Sequence, residues 1–175
     1  MIRTFTFVLA LALPISVAEA QTVVVVRHAE KADGGHDPDL SSAGHARAQA
    51  LAQALKGARL THVLTTPLKR TQQTAAPAAQ AAGVAVTPMA LGGGAAAHVA
   101  RVAAAARQTS VDGTVLIVGH SNTVPEIARA LGDAAPEPLT ECDYDRLTII
   151  QLGGPAPKTI HARYGAPTEA CAAKP

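Results

Sequence analysis

The sequence predicts an α/β fold: a three-layer sandwich with a mostly parallel central sheet and helices on both faces. Three observations predict it. Strand and helix signals alternate along the chain. Two runs, Val23-Val24-Val25-Val26 and Thr114-Val115-Leu116-Ile117-Val118, are unbroken apolar stretches of the kind buried on both faces of a sheet. The segments between them are rich in alanine and poor in aromatics, as expected for helices packed closely on a sheet.

Residues 1–20 have the pattern of an export signal. Arg3 supplies a positive start, Phe5 to Ala18 is almost wholly apolar, and Ala18-Glu19-Ala20 fits the small-x-small cleavage rule. The apolar run is shorter than the ~20 residues a membrane-spanning helix needs, and Pro14 breaks it. A mature chain beginning near Gln21, periplasmic or secreted, is expected. Removing 20 of 175 residues leaves 155, enough for one domain and too few for two ordinary ones. We expect that domain over 21–165, with a C-terminal tail over 166–175.

The net charge of +2 is unchanged by that removal, because Arg3 and Glu19 leave together. Basic residues are scattered and aromatic residues make up 2%, so no nucleic-acid footprint is present. No stretch after the signal is apolar enough to span a membrane.

From the first strand the elements follow in order. A polar loop rich in Gly and Asp runs from Lys31 to Asp39. Ser41 or Ser42 then caps a helix through about Leu55, which Gly57 ends. His62 to Leu64 reads as a short strand, Leu68 to Ala82 as a helix stopped by Gly83, and Val84-Ala85-Val86 as a short strand. Gly92-Gly93-Gly94 is a loop before an alanine-rich helix over Ala95 to Gln108. After the second strong strand, Pro125 to Leu131 is a helix with proline at an early, tolerated position. Leu147 to Leu152 and Thr159 to Ala162 read as a final pair of strands. Cys142 and Cys171 allow one bridge tying the tail to the body in an oxidising compartment, or two unrelated thiols. The sequence leaves both open.

In such sheets ligands sit at the carboxyl ends of the strands. Arg27-His28-Ala29-Glu30 follows the first strong strand and Gly119-His120-Ser121-Asn122 the second, so two parallel strands deliver two histidines to one edge. Thr65-Thr66-Pro67-Leu68-Lys69-Arg70 places Arg70 in the first turn of a helix after a third strand. Arg27, His28, Arg70 and His120 therefore converge by topology. A neutral imidazole whose other ring nitrogen is held can attack phosphorus. Two guanidiniums offer fixed forks of donors to phosphate oxygens, and a protonated second imidazole would stabilise charge developing in the transition state.

These segments resemble the histidine phosphatase superfamily, the phosphoglycerate-mutase-like group. Its pattern is a strand ending in Arg-His-Gly, a Ser/Thr-Pro-Leu-x-Arg-x-x-Gln-Thr-Ala segment, and a later strand ending in Gly-His. Leu40-Ser41-Ser42-Ala43-Gly44 leading to Gln49-Ala50 resembles the family's Leu-Thr-x-x-Gly…Gln-Ala helix start, and Tyr144-Asp145-Arg146-Leu147 its approach to the last strands. The match spans roughly Val23 to Leu152 by motif order and spacing. The resemblance implies a metal-independent, cofactor-free phosphatase that hydrolyses phosphomonoesters or phosphoramidates. In it His28 is phosphorylated, Arg27, Arg70 and His120 hold the phosphoryl group, and water releases it.

One feature departs from the family. Many members protonate the leaving group with a mid-chain carboxylate, yet Leu40 to Val111 contains none. Glu30 and Asp33, a few residues from His28, are the candidate acids, with Asp37 and Asp39 beyond them. The alternative is that these carboxylates only orient loop or arginine groups. Leaving groups needing little help fit such a site: phosphohistidine, aryl phosphates and acidic sugar phosphates. A small phosphorylated substrate, such as an envelope or sugar phosphate, suits an exported member. His36, His45, His62, His98 and His161 carry no comparable context. His36 with Asp33 and Asp37 lacks metal-ligand spacing, so no metal is expected. A second class of function is an exported phosphate-ester-binding protein, catalytically weak or inactive, that keeps the anion pocket without turnover.

Overall fold

The computed structural model describes residues 21–109 and 112–168. The expected export signal over residues 1–20 lies outside the described residues, as does Cys171. Cys142 is not a free thiol. In chain order the elements are β1 (Gln21–Arg27), α1 (Ser42–Ala54), β2 (Leu60–Thr65), α2 (Lys69–Ala82), β3 (Val86–Pro88), α3 (Gly94–Arg107), β4 (Thr114–Gly119), α4 (Val124–Leu131), β5 (Arg146–Leu152) and β6 (Lys158–Arg163). The sheet order is β3-β2-β4-β1-β5-β6. The first four strands run parallel, while β5 is antiparallel to β1 and β6 to β5.

The valine run of β1 is continuous because both faces of the strand are covered. Val23 and Val25 pack with Val102 and Ala106 of α3 and with Ile127 and Leu131 of α4. Val24 and Val26 pack on the opposite side with Leu51 of α1 and with Ala75, Ala78 and Ala79 of α2. Period-two alternation along one strand thus feeds two apolar layers. This is the three-layer sandwich expected from the sequence.

Local chemistry sets the element ends. Ser41 is the N-cap of α1, its side chain accepting from the Gly44 backbone N–H at 3.1 Å. Gly44 is required by a close approach: a Cβ there would lie 2.0 Å from the Glu30 carbonyl oxygen. The first turn of α1 can therefore rest directly on the loop after β1. The short strand expected at 84–86 lies at Val86–Pro88 instead. Gly83 caps α2 in the left-handed conformation, and the Val84 N–H donates to the Ala79 carbonyl at 3.0 Å. Val84 is spent closing the helix and cannot pair in the sheet.

Register, finally, positions the two strand-end histidines. Arg27 is the Cα partner of Gly119 across the parallel β1–β4 pair. The next residue's N–H, that of His28, donates to the Gly119 carbonyl at 2.9 Å.

Candidate active site

His28 is buried, and its Nδ1 lies 2.8 Å from the Ala29 carbonyl oxygen. A carbonyl can only accept, so this contact assigns the ring hydrogen to Nδ1 and leaves the Nε2 lone pair free. Burial lowers the His28 pKa to about 4, helped by the charges of Arg27, Arg70 and Lys31 and opposed by the Ala29 hydrogen bond. The imidazole is neutral at neutral pH, the form a nucleophile requires.

Arg27 is fully enclosed. Its Nη1 donates to the Thr140 carbonyl at 2.7 Å and its Nη2 to a Glu141 carboxylate oxygen at 3.0 Å. The guanidinium carbon lies 4.2 Å from the Tyr144 ring centroid, within cation–π range. Arg70 enters from the first turn of α2, with Nη1 3.6 Å from Asp37. Both Asp37 carboxylate oxygens also accept from the Lys69 backbone N–H, at 3.1 and 3.2 Å. Asp37 thus caps α2 from the preceding loop, since Leu68 at the N-cap has no side-chain acceptor.

The residues following Arg70 explain the rest of that motif. The Thr74 hydroxyl accepts from the Ala29 N–H at 2.8 Å and donates to the Arg70 carbonyl at 2.7 Å. Gln73 accepts from the Leu40 N–H and donates to Asp39. One helix face therefore ties the arginine to the loop that follows His28.

His120 completes the group, with its ring centroid 5.3 Å from that of His28 and the planes 65° apart. Its Nε2 is 3.2 Å from the Thr66 hydroxyl. Burial lowers its pKa to about 3, reinforced by His28, Arg70, His98 and Arg27. The protonated second imidazole expected from the sequence is thus not the form of this pocket: His120 is neutral here. A phosphate dianion would supply the opposite charge that its protonation needs.

Arg27, His28, Arg70 and His120 line one cleft of about 480 Å³ at the carboxyl ends of β1 and β4. Glu30 does not line it. Its carboxylate accepts from Arg47 of α1, at 2.8 and 3.0 Å from Nε and 2.7 Å from Nη2. Asp33 is exposed in the loop and does not line the cleft either. Of the two alternatives open for these carboxylates, Glu30 takes the arginine-orienting one.

The cleft also holds His98, which the sequence sets aside as lacking context, and Glu141, which it does not single out. His98 of α3 is buried, its Nδ1 3.0 Å from the Ala90 carbonyl oxygen, and it lines the cleft. Its position on the same helix face as Val102 and Ala106 was the available signal. Glu141 lines the rim, between Arg27 and the Ser121 hydroxyl. Nothing in its local sequence marks it. Among the described residues no His, Cys, Asp or Glu side chains are grouped as metal ligands, and no helix is long and apolar enough to cross a membrane.

The model of the histidine phosphatase superfamily (branch 1) matches residues 23–91, which include Arg27, His28 and Arg70. A protein assigned as phosphohistidine phosphatase SixA from Nakamurella multipartitia shares the fold at TM-score 0.62 and 23% identity, covering 84% of this chain and 98% of its own. The protein histidine phosphatase SixA complexed with tungstate aligns at TM-score 0.65 and 19% identity, over 81% of this chain and 96% of its own. Mycobacterial glucosyl-3-phosphoglycerate phosphatase aligns at TM-score 0.60 and 16% identity, over 85% and 100%. No curated protein is a significant match. The chain thus matches the superfamily's sequence model over residues 23–91 and shares the fold of these phosphatases over 81–85% of its length.

Proposed function

We propose that this chain is an exported phosphatase that hydrolyses phosphomonoesters or phosphoramidates through a phosphohistidine on His28. The observation that carries the reading is the His28 ring: Nδ1 held by the Ala29 carbonyl, Nε2 unprotonated, beside two arginines and a second histidine. In the first step the Nε2 lone pair attacks phosphorus and the bond to the leaving oxygen or nitrogen breaks. In the second, a water oxygen attacks phosphorus, the P–N bond breaks, and inorganic phosphate leaves. Arg27 and Arg70 neutralise the equatorial oxygens, and His120 stabilises the charge that develops. Each role is performed by this chain's own side chains without a metal. The periplasmic or secreted location rests on the pattern of residues 1–20. The substrate is a small phosphorylated molecule, with envelope and sugar phosphates the classes that suit that location.

The test is hydrolysis of p-nitrophenyl phosphate by the mature protein in the presence of a chelator, beside His28→Ala, with acid-labile phosphate on the protein followed in the same samples. Turnover and label that both vanish in the variant support the reading. The carboxylate-free stretch from Leu40 to Val111 favours one second reading, a phosphate-ester-binding protein without turnover. Tight phosphate binding by the parent with neither turnover nor label would select it.

A further inference from the structure

If His28 is the nucleophile, a poor leaving group needs a proton from some carboxyl or imidazole group on the far side of the phosphorus. The mid-chain supplies no carboxylate, Glu30 is turned to Arg47, and Asp33 lies outside the cleft. Glu141, in the loop between α4 and β5, is the carboxylate that lines the cleft among the described residues. Its Oε1 accepts from the Ser121 hydroxyl at 2.7 Å and its Oε2 from Arg27 at 3.0 Å.

Its position is as informative as its chemistry. His28 is 5% exposed and forms the floor of the cleft, whereas the Glu141 side chain is 75% exposed and forms its rim. In-line displacement at a phosphorus attacked from the floor expels the leaving atom toward the rim. We propose that Glu141 is the general acid–base of this site, a role resting on the phosphatase reading above. As the P–O bond breaks, the carboxyl proton passes to the leaving oxygen. In the second step the resulting carboxylate takes a proton from the attacking water, which restores the acid.

The protonation state required can be reached because substrate binding removes what opposes it. Without phosphate, the Ser121 hydrogen bond and the charges of Arg27 and Lys31 hold Glu141 below the usual carboxylate range. A phosphate dianion that occupies the Arg27 fork takes away that counter-charge and sets negative charge beside the carboxyl. Solvent at the rim supplies the proton.

The experiment compares p-nitrophenyl phosphate with an alkyl ester, glycerol phosphate, in the parent and in Glu141→Gln, Glu141→Ala and Glu141→Asp. The expected result is a ~10²-fold fall in kcat/KM on the alkyl ester for Gln and Ala, with a fall under ~10-fold on the aryl ester, and partial recovery in Asp. Equal losses on both esters would mean that Glu141 only positions Arg27, and would overturn the proposal. Faster turnover with tighter inhibition by inorganic phosphate would overturn it too, marking Glu141 as a competitor for Arg27. A parent that hydrolyses neither ester and traps no label would instead bring down the phosphatase reading, and this role with it.

Discussion

The His28 N–H donates to the carbonyl of Gly119 at 2.9 Å, so the His28 backbone is locked to the residue immediately before His120. One hydrogen bond of the parallel β1–β4 ladder therefore ties together the backbones that carry the two cleft imidazoles. Neither ring depends on a flexible loop for its placement. Gly119 itself leaves room for the turn that follows, since a Cβ there would come within 3.1 Å of Thr123 and Val124 atoms.

Both imidazoles are held uncharged by the fold, with pKa values of about 4 for His28 and about 3 for His120, against an ordinary 6.5. Below pH 6.5 the unfolded chain binds more protons than the native one, so this stability is complete above pH 6.5 and is lost as pH falls to about 4 for His28 and about 3 for His120. Thermal unfolding across that window should show Tm falling with acid. His120→Ala should flatten the slope, and saturating inorganic phosphate should shrink the loss by raising the imidazole pKa values in the fold back toward 6.5.

Arg70→Ala should reduce kcat/KM on p-nitrophenyl phosphate by ~10²–10³-fold, the usual consequence of removing one donor to a developing charge. Arg70→Lys should recover little, because a single ammonium cannot reproduce a planar fork. Steady-state kinetics with inorganic phosphate as inhibitor would show weaker inhibition in both variants.

Glu30→Gln should act on stability. It removes the charged partner of Arg47, which is 5% exposed, and costs about 2 kcal/mol in urea unfolding. Any loss of activity should be the same fraction on aryl and alkyl esters. Asp33→Asn should change neither stability nor the ratio of the two activities.

Gly44→Ala drives a methyl group into the Glu30 carbonyl, 2.0 Å from where its Cβ would sit. The helix and the loop after the nucleophile must separate, costing upwards of ~2 kcal/mol. Because Ala29 and Glu30 belong to that loop, kcat/KM should fall with stability, whereas surface alanines such as Ala43→Gly should lower stability alone.

The parts legible in the sequence are those written in consecutive residues. Arg27-His28 and Gly119-His120 sit directly after apolar runs, so recognising the strands places the chemistry. Arg70, Gln73 and Thr74 fall on one helix turn for the same reason. Sequence proximity misleads at Glu30: two residues from His28, its carbonyl accepts from the Ser41 N–H and its side chain faces α1, away from the cleft. Glu141 is the converse. It reaches Arg27 from 114 residues away, through a loop with no periodicity to announce it. The pairing of neutral imidazoles was likewise invisible, since it comes from burial and neighbouring cations.

The strand order has a consequence for how the molecule comes into being. β1, the first described element, has as its neighbours β4 and β5, so Val24 finds its partners at Leu116 and Ile149. A chain emerging from its N-terminus makes the strand that leads into His28 early and must keep it unpaired until the second half arrives. Closing loops of that size is slow, and it makes this a fold of high contact order. Arg27 waits as well, because its carbonyl acceptor at Thr140 lies between those two partners. The cleft is therefore all-or-none: a chain ending before Thr114 holds His28 and Arg70 in its sequence but lacks β4, the strand that joins β1 to β2.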